Sequence, residues 1–138
     1  ILRAGLGFHQ GFLSYFDHAE NAFISAYRQY SNETDFDIHV EYIASPSLEN
    51  KVMILADPML ATGKSMELCY KALCNSKGTP AVTHVAAVIA SRQAIEYVEQ
   101  HFPANTTLWV AGVDDTLNAH GYIIPGLGDA GDLAYGEK

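Results

Sequence analysis

The segment Asp57-Pro58-Met59-Leu60-Ala61-Thr62-Gly63-Lys64-Ser65 brings together the residue types that handle a phosphorylated sugar. The solid apolar run before it, Val52 to Ala56, reads as a buried parallel strand, and a helix-like segment follows. A glycine-containing turn between a strand and a helix N-terminus leaves backbone N–H groups free to hold an anion. Asp57, at the strand's end, adds a carboxylate, which suits sugar hydroxyls better than another phosphate. The local chemistry is a phosphate beside a ribose.

Two further segments carry functional residue types. Ile1-Leu2-Arg3-Ala4-Gly5-Leu6-Gly7 places a guanidinium beside glycines that permit close backbone approach. Gly121-Tyr122-Ile123-Ile124-Pro125-Gly126-Leu127-Gly128-Asp129-Ala130-Gly131-Asp132 holds four of the chain's eleven glycines. A surface tail has no need of that density, whereas a loop wrapped around a flat base does, because glycine lets main-chain groups reach it.

These three segments, in this order, resemble the phosphoribosyl-pyrophosphate loop, the early arginine loop and the uracil-binding loop of the uracil phosphoribosyltransferases, within the type I phosphoribosyltransferases. The resemblance covers essentially the whole chain. It implies that Asp57 binds the ribose hydroxyls. The loop from Pro58, Met59 and Leu60 through Ala61, Thr62, Gly63, Lys64 and Ser65 would hold the substrate, with the backbone from Ala61 to Ser65 on the 5′-phosphate. Arg3 and Arg28 would stabilise the departing pyrophosphate, where a bidentate guanidinium meets charge developing in the transition state. Ile123 and the Gly128-Asp129-Ala130 segment would read uracil through backbone groups, with Asp129 also on the sugar-pyrophosphate side and counted as catalytic. Mg²⁺ is implied as a cofactor held mainly through the phosphoribosyl pyrophosphate, with no dedicated protein metal site. A homodimer through a protruding arm and a cytoplasmic location are implied as well. The chain departs from the family pattern at three places: Lys64 stands where a second glycine is usual, Leu133 where a basic residue is common, and the residues after Arg28 differ from the usual ones.

Rival readings fail on single residues. Gly63-Lys64-Ser65 matches the end of G-x-x-x-x-G-K-[ST], but the first glycine falls on Pro58, which has no N–H to donate. His39-Val40-Glu41 matches the H-x-E of zinc deaminases. That signature needs P-C-x-x-C downstream, whereas Cys69 and Cys74 have four residues between them and no proline in front. His39 reads as a strand residue of the arm and His120 as a loop residue beside the uracil site. A non-catalytic pyrimidine- or nucleotide-sensing module with the same fold is the remaining alternative.

The elements that must position these residues follow from pattern. A helical face recurs over Phe8 to Phe16, and strands read over Ala22 to Tyr27 and Asp37 to Ala44, with a polar turn over Gln29 to Asp35 making a hairpin arm. Ser45 to Asn50 is a loop and Lys51 to Ala56 a buried strand. Lys64 to Lys77 is a helix with Met66, Cys69, Tyr70 and Leu73 inward, ended by Gly78 and Pro80. Val82 to Ile89 is a second buried strand and Thr107 to Val113 a third apolar strand. Between them Ser91 is the N-cap of a helix carrying Ile95, Val98 and Phe102. Alternating strands and helices imply an α/β fold: a parallel sheet flanked by helices, with the ligand site at the strands' carboxyl ends.

Composition narrows the function classes. The 138 residues suit one domain, and 49% apolar residues can build a core. No apolar stretch approaches ~20 residues, so no membrane span is expected. The net charge of −8 and eight scattered Lys and Arg give no basic patch for nucleic acid. An acidic protein with a polyanionic substrate must concentrate cations locally, which singles out Arg3, Arg28 and Lys64. Cys69 and Cys74 lie about 140° apart on a helix and read as small buried thiols in a reducing compartment. The chain opens at Ile1 without Met, at what reads as a strand's end. It is expected to be the C-terminal portion of a longer protein, residues 1–138 forming a phosphoribosyltransferase domain that lacks its N-terminal segment.

Overall fold

The computed structural model describes the backbone of residues 1–30 and 36–137, and the side chains of 1–26 and 40–137. In chain order the elements are α1 (Leu6–Leu13), β1 (Phe23–Tyr30), β2 (Phe36–Ala44), β3 (Val52–Ala56), β4 (Met59–Leu60), α2 (Lys64–Lys77), β5 (Val82–Ser91), α3 (Arg92–His101), β6 (Thr106–Asp114), β7 (Thr116–Leu117), β8 (Ile123–Ile124) and α4 (Ala130–Tyr135).

The central sheet is parallel, with β5 in the middle, β6 on one side, and β3 then β4 on the other. Ala56 pairs with Ala86 and Met59 with Ile89, so β4 continues the line of β3 in the same register. The line breaks only at Asp57 and Pro58. Pro58 has no N–H for the ladder, but its carbonyl accepts from the Val88 and Ile89 N–H groups, both at 3.1 Å. That break turns Asp57 out of the strand at the sheet's carboxyl end.

Helices α2 and α3 cover one face of the sheet. Met66, Cys69, Tyr70 and Leu73 of α2 are buried, as the helical spacing requires, against Met53, Leu55 and Val85. Burial pushes the Cys69 thiol up to about 12, leaving a protonated apolar filler. Gly78, at φ 96°, ends α2 where expected. Ser91 is the N-cap of α3, its side chain accepting from the Ala94 N–H at 3.0 Å. The opposite sheet face carries the exposed side chains of Val52, Ile54, Val88, Trp109 and Val113.

Strands β1 and β2 pair antiparallel as the expected hairpin arm. Gln29 and Tyr30 lie within β1 rather than in the turn, because pairing with Asp37 and Phe36 outweighs their polar, turn-like surroundings. Residues 31–35 of that expected turn lie outside the described residues, as does the side chain of His39, whose backbone is in β2. The first helix is Leu6–Leu13 rather than Phe8 to Phe16. None of its residues is buried, so Phe16 has no core to hold it helical.

Candidate active site

The phosphate loop is fixed from its own sequence outward. Asp57 Oδ1 accepts the Met59 N–H at 3.0 Å, an Asx turn that bends the chain back to the sheet as β4. Gly63 then caps α2 at φ 80°, a conformation open to glycine and costly for other residues. Lys64 is the first residue of α2. The one described non-glycine residue with positive φ is Asn50, so Lys64 fits the family's glycine position in ordinary helical backbone. Its side chain is exposed.

The terminal loop is attached to the same end of the sheet. Asp114, the last residue of β6, accepts the Gly126 N–H at 3.0 Å. A side chain at Gly126 would overlap the Ile123 carbonyl, at 2.1 Å, so that bend admits glycine alone. Asn118 Oδ1 accepts from the His120 and Tyr122 N–H groups, both at 2.9 Å, closing the small β7–β8 hairpin. Asp129 caps α4 by accepting the Asp132 N–H at 2.9 Å.

Between the loops lies an open cleft of about 550 Å³, a volume that suits a nucleotide-sized ligand. Of the residues singled out from sequence, Arg3, Asp57, Met59, Ala61, Ser65, Asp129 and Ala130 line it. Leu60, Thr62 and Gly63 line a smaller hollow of about 40 Å³ beside it, shared with Asp57. Pro58, Lys64, Ile123 and Gly128 are among the lining residues of neither. Pro58 is at the strand break, and Ile123 is only 1% exposed in β8. Arg28 pairs with Ile38 in the arm, and its side chain lies outside the described residues.

Electrostatics mark two of these groups. Burial pushes the Asp57 carboxyl up to about 6; the Met59 N–H opposes the rise and the nearby Asp129 carboxylate adds to it. Arg3 forms an ion pair with Asp132, donating from Nη2. Asp132, Tyr122 and the β1 residues Ser25 and Ala26 line the cleft without having been assigned roles from sequence. Asp132 had a signal, as the last residue of the terminal motif. Ser25 and Ala26 had none, because only the fold brings the arm's base to the cleft.

The description of the uracil phosphoribosyltransferase family matches residues 1–137. The chain belongs to this family. It is 63% identical over its full length to a uracil phosphoribosyltransferase of Porphyromonas gingivalis. It is 43% identical over 136 residues, 99% of the chain, to one of Methanothermobacter thermautotrophicus. A solved structure of an Aquifex aeolicus protein superposes with a TM-score of 0.88 at 36% identity, covering 98% of the chain. The chain spans 63%, 60% and 62% of the lengths of these three relatives. The parallel sheet with flanking helices and antiparallel hairpins is thus the family's fold. Among the described residues no helix is long and apolar enough to cross a membrane.

Proposed function

We propose that the protein transfers the 5-phosphoribosyl group of phosphoribosyl pyrophosphate to uracil, giving UMP and diphosphate. The observation that carries this reading is the one cleft onto which the α2 N-terminus, Asp57, Arg3 and the glycine-dense terminal loop converge.

The chain's residues divide the work. Backbone N–H groups at Ala61 to Ser65 hold the 5′-phosphate, with the α2 dipole behind them. Asp57 accepts from the ribose hydroxyls. The bond from C1′ to the pyrophosphate oxygen breaks, and the oxygen keeps the electron pair. Arg3, with Arg28, meets the charge that develops there. Backbone groups of the terminal loop orient uracil so that N1 forms the new bond to C1′ and releases its proton to the medium. Catalysis is chiefly positioning and electrostatics.

Mg²⁺ fits this site. Two oxygen donors of like charge, Asp57 and Asp129, face the cleft closely enough for one to raise the other's pKa, which a hard cation relieves. Most of its ligands would come from the substrate. Bound there, it would neutralise pyrophosphate charge. The active species is proposed to be a cytoplasmic homodimer joined through the β1–β2 arm.

The test is labelled uracil with phosphoribosyl pyrophosphate and Mg²⁺, supplied both to this chain and to the product of the complete gene. UMP and diphosphate are expected from the latter. Cytosine presents the opposite hydrogen-bonding polarity at C4 and a bare N3, so it should be disfavoured by ~10⁴-fold or more. Absence of UMP, or comparable use of cytosine, overturns the reading.

A further inference from the structure

Helix α3 contributes nothing to the lining of the cleft, yet two side chains from its N-terminal cap and its interior grip the phosphate loop from behind. Ser91, fully buried, donates its hydroxyl to the Ala61 carbonyl at 2.5 Å while accepting the Ala94 N–H. One side of the loop is thereby tied to the cap of α3. Tyr97 holds the other side. Its ring lies against Gly63 so closely that a Cβ there would sit 2.7 Å from Tyr97 Cδ1. Its hydroxyl donates to Glu67 Oε2 at 2.6 Å, in the first turn of α2. Glu67 is held in turn by Lys71 Nζ at 2.6 Å. The ring also stacks on His101, with centroids 3.8 Å apart and planes 11° from parallel.

Gly63 has no side chain of its own to hold its positive φ; its carbonyl accepts the Glu67 N–H at 3.0 Å, and the Tyr97 ring packs against it as a second restraint from outside the loop. We propose that Tyr97 is a positioning residue for phosphoribosyl-pyrophosphate binding, holding Gly63 at φ 80° and thereby aiming the loop's N–H groups at the phosphate. Tyr97 lines neither the cleft nor the smaller hollow beside it and acts through Gly63 and Glu67. The inference rests on the phosphoribosyl-transfer reading for the identity of the ligand. Misplacement of a binding group by ~1 Å is enough to cost up to ~10²-fold, so a loosened loop should be visible in affinity.

The experiment compares wild-type product of the complete gene with Tyr97→Ala and Tyr97→Phe. It reads amide hydrogen exchange and calorimetric affinity for phosphoribosyl pyrophosphate with Mg²⁺. In Tyr97→Ala, exchange over residues 61–66 should rise about fivefold with residues 121–132 unchanged, and affinity should fall about tenfold. Tyr97→Phe keeps the ring on Gly63 and should restore affinity to within about threefold of wild type. Unchanged exchange over 61–66, or a rise spread evenly over the chain, overturns the proposal, the second outcome marking a purely structural role. Wild-type binding with unaltered affinity in Tyr97→Ala overturns this inference alone. Wild-type protein that fails to bind phosphoribosyl pyrophosphate overturns the functional reading and this inference with it.

Discussion

At the scale of the residue, Asp57 shows a conflict between folding and function. Its carboxyl sits on a buried strand break and titrates near 6, above its ordinary 3.8. The fold therefore favours the protonated form. The stability this contributes is fully present below about 3.8 and is lost as pH rises through about 6. Above that, the buried carboxylate is a cost on the order of 2–3 kcal/mol. Asp57→Asn keeps a neutral acceptor for the Met59 N–H and removes the buried charge. Its melting temperature should exceed that of wild type at pH 8, with the difference vanishing towards pH 4. Affinity for phosphoribosyl pyrophosphate should fall by about 1.5–3 kcal/mol while uracil binding changes little, since the ribose hydroxyls lose a charged acceptor. Equal loss for both ligands would make Asp57 structural. Lys64 makes the contrasting case. It begins α2 in ordinary helical backbone with an exposed side chain, so Lys64→Gly should leave activity within roughly tenfold, the loop's N–H groups doing the holding. A collapse in turnover would show that the ammonium is essential.

At the scale of the element, legibility in the sequence followed length and period. The strand β3 is a solid apolar run, β5 and β6 are largely apolar, and α2 and α3 carry helical spacing with a Gly78 stop and a Ser91 cap, so their places were readable to within a residue or two. The β7–β8 hairpin and α4 were not. Two-residue strands and a six-residue helix carry no period; local bonds from Asn118 and Asp129 close them, and what fastens them to the rest of the fold is remote: Asp114 holding Gly126, and Arg3 lying against Gly131. The terminal motif was readable as a glycine-dense loop but not as a loop that ends in a helix. That helix sharpens a test of backbone readout. Ala130 is the first residue of α4, a position that proline tolerates, and Asp129 before it is extended at φ −97° and ψ 111°, as a residue before proline prefers. Ala130→Pro should therefore fold normally and delete a single N–H. Loss of uracil use is expected, with phosphoribosyl-pyrophosphate affinity nearly unchanged. Normal turnover would remove this segment from the uracil site.

At the scale of the whole molecule, the Arg3–Asp132 pair joins residues 129 positions apart and closes the cleft between the arginine loop and the terminal loop. Arg3 cannot serve the pyrophosphate unless something holds it at the cleft's wall, and in an acidic protein the local attraction must come from a specific carboxylate. Side chains at this pair are 30% and 32% exposed, between the surface and buried limits, so its coupling should be about 1 kcal/mol rather than several. A double-mutant cycle on stability measures it. Arg3→Ala and Asp132→Ala should each lower the denaturation midpoint, and the double variant should lose about 1 kcal/mol less than their sum. The same coupling should weaken at high salt, because the pair is partly open to solvent. If the two losses simply add, the pair does not fasten the ends of the chain across the cleft, and the wall that presents Arg3 is held instead by the bridge of Leu2 to β1, where the Leu2 N–H donates to the Ile24 carbonyl at 2.7 Å.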